Sequence, residues 1–112
     1  MPLREVRDDA ELRAAIASPE FLLFKHSLIC PVSARAFREY GAFVDGGAGV
    51  PTAWVDVIGQ RPLSRSVEAD TGIPHESPQA LLFRSGRVVW SASHGGITRH
   101  TLASALAAAR AG

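Results

Sequence analysis

The sequence offers a single thiol for redox chemistry, Cys30. It begins the tetrad Cys30-Pro31-Val32-Ser33, which has the spacing of a Cys-x-x-Cys redox motif with serine in place of the second cysteine. Because a serine cannot form the resolving disulfide, the sulfur can attack a disulfide and carry the adduct, but an external thiol must release it. The tetrad therefore predicts one-sulfur thiol–disulfide exchange at Cys30, with the Ser33 hydroxyl as a hydrogen-bond donor to the sulfur.

The residues around this cysteine favour its reactive thiolate form. Pro31 suits the first position of a helix, because its missing N–H would have no partner there. A helix that begins at Cys30 aims unpaired N–H groups at the sulfur, and Lys25 and His26 add basic side chains shortly before it. A free cysteine can instead pack as a small hydrophobe. The position between a strand and a helix favours the reactive interpretation, and we expect Lys25, His26, Pro31 and Ser33 to take part in substrate binding.

A second candidate element is the dipeptide Ser77-Pro78, directly ahead of a strand pattern that begins at Gln79. A trans bond is the ordinary state of such a pair. In a thioredoxin-like domain, however, the proline before the third core strand is cis and lies beside the cysteine. Ser77 would then offer its backbone N–H and C=O to an extended substrate, so we assign Ser77 and Pro78 to substrate binding.

Other kinds of site find less support in the sequence. The four histidines form no i, i+4 pair, and the sequence has only one cysteine as a further metal ligand. We therefore expect no metal ion and no bound cofactor. Gly95-Gly96 lacks the further residues of a phosphate-binding loop. A peroxidase that forms a sulfenic acid at Cys30 needs a base or an arginine to hold the peroxide, and the sequence fixes neither.

Hydrophobic patterning predicts the elements that position these residues. Residues 21–24 form an apolar run without helical period, as in a strand covered on both faces. Trp54 and Trp90 lie within strand patterns and are expected in the core. Because a strand-helix-strand unit followed by a hairpin requires a mixed sheet, we predict an α/β protein with a thioredoxin-like fold, a four-stranded mixed sheet and helices on both faces. The other predicted elements are helices that begin near Asp8, Cys30, Pro62 and Thr98, and strands over residues 53–58, 79–83 and 87–92.

Composition limits the class of protein further. The 112 residues, 46% of them hydrophobic, are enough for one core, so we expect a single domain over residues 1–112. A net charge of +1 is too small to hold a polyanion by counterion release, which argues against a nucleic-acid partner. No apolar run approaches the length of a membrane span, and acidic residues lie near the N-terminus, so we expect a cytoplasmic protein that is a monomer or a weak dimer.

Several short motifs together resemble those of the bacillithiol-system YtxJ family, the monothiol bacilliredoxins. The resemblance covers about residues 12–106. It implies a thioredoxin-like fold and a stress-response activity that removes bacillithiol, a low-molecular-weight thiol, from protein mixed disulfides. It also implies that Cys30 is the nucleophile, that Pro78 is the cis-proline and that Ser33 occupies the position of the resolving cysteine. The motifs are Lys25-His26-Ser27, Cys30-Pro31-Val32-Ser33, His75-Glu76-Ser77-Pro78-Gln79, Trp90 and His94-Gly95.

The resemblance therefore implies an oxidoreductase with bacillithiol as co-substrate and bacillithiolated proteins as partners. A different class of function stays open, in which the chain is a thioredoxin-like adaptor or thiol-stress sensor. In that case Cys30 would be modified only as a passive reporter, and the function would lie in a partner surface.

Overall fold

The computed structural model describes residues 3–111, which contain four strands and four α-helices. The chain order alternates helices and strands until a hairpin, a short 3₁₀ turn and the last helix close it. The elements are α1 (Asp9–Ile16), β1 (Glu20–His26), α2 (Pro31–Asp45), β2 (Thr52–Asp56), α3 (Arg61–Thr71), β3 (Gln79–Arg84), β4 (Arg87–Ser93), the 3₁₀ turn His94–Gly96 and α4 (Arg99–Ala111).

The strands form one sheet in the order β2-β1-β3-β4. Strand β1 runs parallel to β2 and antiparallel to β3, and β3 pairs antiparallel with β4. The sheet is therefore mixed, which confirms the prediction. Before α1, the chain also adds a parallel bridge from Glu5 to Trp54, so the outer side of β2 is partly paired.

Two apolar clusters lie on opposite faces of this sheet, because successive side chains of β1 point to opposite sides. Leu22 and Phe24 pack in the cluster that contains buried residues of α2 and α4. Phe21 and Leu23 pack in the cluster that contains buried residues of α1 and α3. Helices thus cover both faces, as predicted, and the all-apolar run of β1 is explained by its place between two cores.

Local signals in the sequence account for the ends of several elements. Asp8 caps α1, its Oδ1 accepting the N–H of Glu11 at 2.7 Å. Gly72 ends α3 with a φ of 73°, a left-handed conformation that glycine adopts without steric cost. Strand β2 ends at Asp56, two residues earlier than predicted. The Oδ1 of Asp56 accepts the N–H groups of Ile58 and Gly59 at 3.0 Å, and these hydrogen bonds stabilise a turn in place of further strand.

The prediction that both tryptophans lie in the core is wrong. Both are half-buried at the edge of the α2 and α4 cluster rather than within the core. Trp54 lies in the outer strand β2 and Trp90 in the outer strand β4, so each has fewer elements around it than a residue of β1.

Candidate functional site

Cys30 lies between the central strand and α2. It is the N-cap residue of α2, with Pro31 in the first turn as predicted, and its C=O accepts the N–H of Ala34 at 3.0 Å. Its side chain is half-buried and makes no capping hydrogen bond within residues 3–111. Helix α2 therefore starts directly after a half-buried free thiol.

The Ser77–Pro78 peptide bond is cis, as the sequence analysis expects, and β3 begins directly after it. Pro78 itself is buried, whereas Ser77 lines the same cleft as Cys30. This cleft has a volume of about 270 Å³. Residues from three parts of the chain form its walls: Ser27 and Cys30; Val57, Ile58, Arg61 and Arg65; and His75 and Ser77.

Ser33 braces the loop that carries the cysteine. It is fully buried, and its Oγ accepts the N–H of Ser27 at 2.9 Å and lies 2.7 Å from Nδ1 of His26. These two partners join the end of β1 and the loop to the first turn of α2. The predicted roles of Ser33 as a donor to the sulfur and in substrate binding need correction, because its hydroxyl is fully buried and its described partners are His26 and Ser27.

His26 is a buried aromatic residue rather than a cation beside the sulfur. Its ring stacks on Phe37 with centroids 4.2 Å apart and packs edge-on against Trp54. Burial lowers the pKa of His26, and the opposing effect of Asp56 is the smaller of the two. The expected electrostatic support of the thiolate by a protonated His26 is therefore wrong at neutral pH, and the burial of the ring leaves little surface for substrate binding.

Lys25 is also buried, with no exposed surface, and its Nζ has no hydrogen-bond partner within residues 3–111. It continues the alternation of Phe21 and Leu23 and so lies on the side of the sheet that α3 covers. Burial lowers its pKa to about 8, with Glu68 opposing this shift. The predicted contact between Lys25 and the substrate is corrected accordingly, because the side chain can influence the cleft only through its charge.

Several residues that line the cleft were given no site role from the sequence, among them Arg61, Arg65 and His75. The N–H of His75 donates to Glu68 at 2.6 Å, and burial together with the charges of Lys25 and Arg65 lowers the pKa of its imidazole. Arg61 and Arg65 are separated by one turn of α3, which the sequence shows, but nothing in that spacing indicates that this face of α3 meets Cys30.

Large apolar side chains are exposed around the same sulfur. Leu28 and Ile29, in the loop before Cys30, expose 62% and 82% of their surfaces, and Val32 and Ile58 are about half exposed. We call these four residues the apolar rim. Exposed apolar groups gathered around one site are typical of a surface that contacts another protein.

Two further observations concern metal binding and membrane-spanning helices. Across residues 3–111, no three His, Cys, Asp or Glu side chains gather in a way that could hold a metal ion. No helix in this described part of the chain has the length and apolar character required to cross a membrane.

Solved structures with this architecture include thioredoxins. A thioredoxin from Trypanosoma brucei brucei aligns with 99% of this chain and 93% of its own at a TM-score of 0.82 and 12% identity. An oxidised thioredoxin from Plasmodium falciparum aligns with 96% of this chain and 98% of its own at a TM-score of 0.76 and 12% identity. At such identities the likeness shows the fold alone, and it confirms the predicted thioredoxin-like fold.

The fold and the half-buried Cys30 at the start of α2 thus define a thioredoxin-fold protein with a thiol redox role. A solved structure described as a proposed oxidoreductase with a thioredoxin fold is 30% identical, with a TM-score of 0.86 and 92% of each chain covered. The family model described as monothiol bacilliredoxin BrxC matches residues 2–102. The chain belongs to this monothiol bacilliredoxin family, which confirms the resemblance seen in the sequence.

Proposed function

We propose that this protein removes bacillithiol from protein mixed disulfides by exchange at Cys30. The observation that carries the proposal is the placement of the single thiol at the first turn of α2, with a serine where a second cysteine would resolve the adduct. Membership of the monothiol bacilliredoxin family supports bacillithiol as the co-substrate. No bound cofactor is required, because Cys30, the mixed disulfide and free bacillithiol supply every sulfur that the exchange uses.

The reaction proceeds in two exchanges. The Cys30 thiolate attacks the bacillithiol sulfur of the mixed disulfide, a new S–S bond forms to Cys30, and the protein sulfur leaves as a thiolate with the bonding electrons. A second bacillithiol then attacks the adduct, which frees Cys30 and forms bacillithiol disulfide. In sum, one mixed disulfide and one free bacillithiol become one protein thiol and one bacillithiol disulfide, so the number of S–S bonds and the electrons balance.

The surrounding residues have separate tasks in this proposal. Ser77 aligns the substrate beside the sulfur, the buried Pro78 next to it is a positioning residue, and Pro31 starts helix α2 directly after Cys30. Ser33 and His26 hold the loop in place as positioning residues. The apolar rim receives the protein half of the mixed disulfide, because exposed apolar side chains suit a protein surface better than a small polar thiol.

A release assay tests the proposal. A purified bacillithiolated protein is incubated with bacillithiol and catalytic amounts of either the native chain or the Cys30→Ser variant, and the freed substrate thiol is measured with time. We expect multiple turnovers with the native chain and only the background rate with the variant. Equal rates for the two would reject the proposal.

The adaptor interpretation also has an observation in its favour, since the apolar rim could bind a partner without any exchange. Its test is biological. If a strain carrying Cys30→Ser resists thiol stress as well as the native strain, the partner surface is sufficient and the adaptor function is correct.

The single-domain organisation of residues 1–112, the cytoplasmic location and the monomeric or weakly dimeric state stay predictions.

A further inference from the structure

Strand β3 begins with a buried polar residue at a position where the alternation of side chains places a core residue. Leu81 and Phe83 follow Gln79 at intervals of two, and both belong to the apolar cluster that α1 and α3 cover. Gln79 is only 4% exposed, and it pairs with Lys25 of β1 across the sheet. A buried amide costs free energy unless its donors and acceptors have partners, so its hydrogen bonds indicate why this position is polar.

Both ends of the Gln79 carboxamide bind the loop that joins α3 to β3. The Nε2 of Gln79 donates to the C=O of Pro74 at 3.1 Å, and its Oε1 accepts the N–H of Glu76 at 3.3 Å. The residue between these two, His75, donates its N–H to Glu68 of α3 at 2.6 Å. One side chain of β3 thus holds the backbone on both sides of His75, while α3 holds His75 itself.

This loop leads directly to Ser77, whose backbone polar groups are free. Neither the N–H nor the C=O of Ser77 makes a hydrogen bond to any residue within 3–111, and Ser77 lines the cleft that contains Cys30. A free N–H and C=O can pair with an extended chain that lies beside them. Their direction depends on the residues on either side, which are held by the bond from Glu76 to Gln79 and by the bond from the N–H of His94 to the C=O of Pro78 at 3.1 Å.

We infer that Gln79 is a positioning residue of the exchange reaction: its carboxamide fixes the loop from Pro74 to Glu76 and thereby the Ser77 peptide groups that align the substrate beside Cys30. Gln79 acts through the loop, since it does not line the cleft. The inference rests on the proposed function and assigns that function a residue outside the cleft. An apolar side chain of similar size would fill the same space but leave the loop without these two hydrogen bonds.

The test compares a reaction that needs alignment with one that does not. The variant is Gln79→Met, which is close in size and cannot form either hydrogen bond. The first rate is single-turnover exchange with a bacillithiolated peptide, which must be aligned, and the second is alkylation of Cys30 by iodoacetamide, a small reagent that needs only the thiol. The matched control is Leu81→Val, which shortens the next side chain on the same face of β3 and carries no polar group to bind the loop.

We expect Gln79→Met to slow exchange with the peptide by about tenfold, because the aligning groups lose their fixed direction, and to change the alkylation rate by less than about twofold. Leu81→Val should lower stability by removing buried apolar surface, yet leave both rates within about twofold of the native values. Amide hydrogen exchange gives a readout that needs no disulfide: the Glu76 N–H should be protected in the native chain and in Leu81→Val, and should lose about fivefold in protection in Gln79→Met.

The outcomes separate this inference from the proposed function. Native exchange that Gln79→Met leaves intact would reject the positioning role alone, as would an equal fall of exchange and alkylation, because the effect would then come from the thiol itself. An unprotected Glu76 N–H in the native chain would also overturn the inference. If the native chain exchanged with no bacillithiolated peptide, the proposed function would fail, and the role of Gln79 in that reaction would fail with it.

Discussion

Replacing the buried Lys25 with methionine should stabilise the protein. The Nζ of Lys25 has no hydrogen-bond partner within residues 3–111 and its side chain has no exposed surface. An ammonium group in that environment loses its hydration without full compensation. Methionine has a similar shape, is apolar and adapts to irregular spaces, so it can occupy the same position without that cost.

The magnitude follows from the pKa of Lys25. Burial lowers it from 10.5 to about 8, and each pH unit of difference corresponds to about 1.4 kcal/mol, so the penalty is about 3 kcal/mol. The folded state binds this proton less tightly than the unfolded state. The penalty is therefore fully present below about pH 8 and disappears as the pH rises towards 10.5.

Urea unfolding followed by far-UV circular dichroism measures the effect. At pH 7, the free energy of unfolding of Lys25→Met should exceed that of the native chain by about 3 kcal/mol, and at pH 10 by less than about 1 kcal/mol. The control Arg38→Met removes an exposed charge, and it should change stability by less than about 0.5 kcal/mol at either pH. A Lys25→Met variant that is less stable at pH 7, or whose advantage is equal at both pH values, would refute the reasoning.

Three other changes test the site. Ser33→Ala should lower the free energy of unfolding by about 1–3 kcal/mol, because it leaves the N–H of Ser27 without a partner. It should reduce the exchange rate several-fold without abolishing exchange, and activity as low as that of Cys30→Ser would show that Ser33 takes part in the reaction. Burial lowers the pKa of His26, so the free energy of unfolding should fall as the pH drops through 6.5 and the unfolded state takes up the proton. Unfolding curves of His26→Gln should show a weaker dependence of this free energy on pH, and an unchanged dependence would contradict the prediction. Ile29→Ser should change the free energy of unfolding by less than about 0.5 kcal/mol. It should slow exchange with a protein mixed disulfide but not with the small hydroxyethyl disulfide, and equal slowing of both would exclude protein docking on the apolar rim.

Much of the fold could be predicted because the sequence signals are local. The apolar run of β1, the proline at the start of α2 and Asp8 before α1 each specify their own element. The places of the tryptophans could not be predicted in the same way. Whether a strand residue is buried depends on which strands lie beside it, and both tryptophans lie in outer strands.

The site was predictable where the chemistry is tied to position in the chain. Cys30 and the Ser77–Pro78 bond were identified from sequence neighbours, and the structure brings Cys30 and Ser77 to one cleft. The charge states of Lys25 and His26 were not predictable, because the burial that lowers their pKa values comes from elements distant in sequence.

Arg61 and Arg65 were missed for the same reason. Their spacing shows that they share a face of α3, but only the packing of α3 on the sheet turns that face towards the cysteine. The sequence carries no local signal for such an encounter between two elements.

Mass spectrometry of the reaction tests the central claim most directly. The reduced chain is mixed with a bacillithiolated substrate in the absence of free bacillithiol, quenched by acid, and analysed as intact protein and as peptides. The account predicts one bacillithiol adduct, located on Cys30, together with an equal amount of substrate that has regained its thiol. A substrate that remains modified while Cys30 stays free, or a stable disulfide between Cys30 and the substrate protein in place of the bacillithiol adduct, would contradict it.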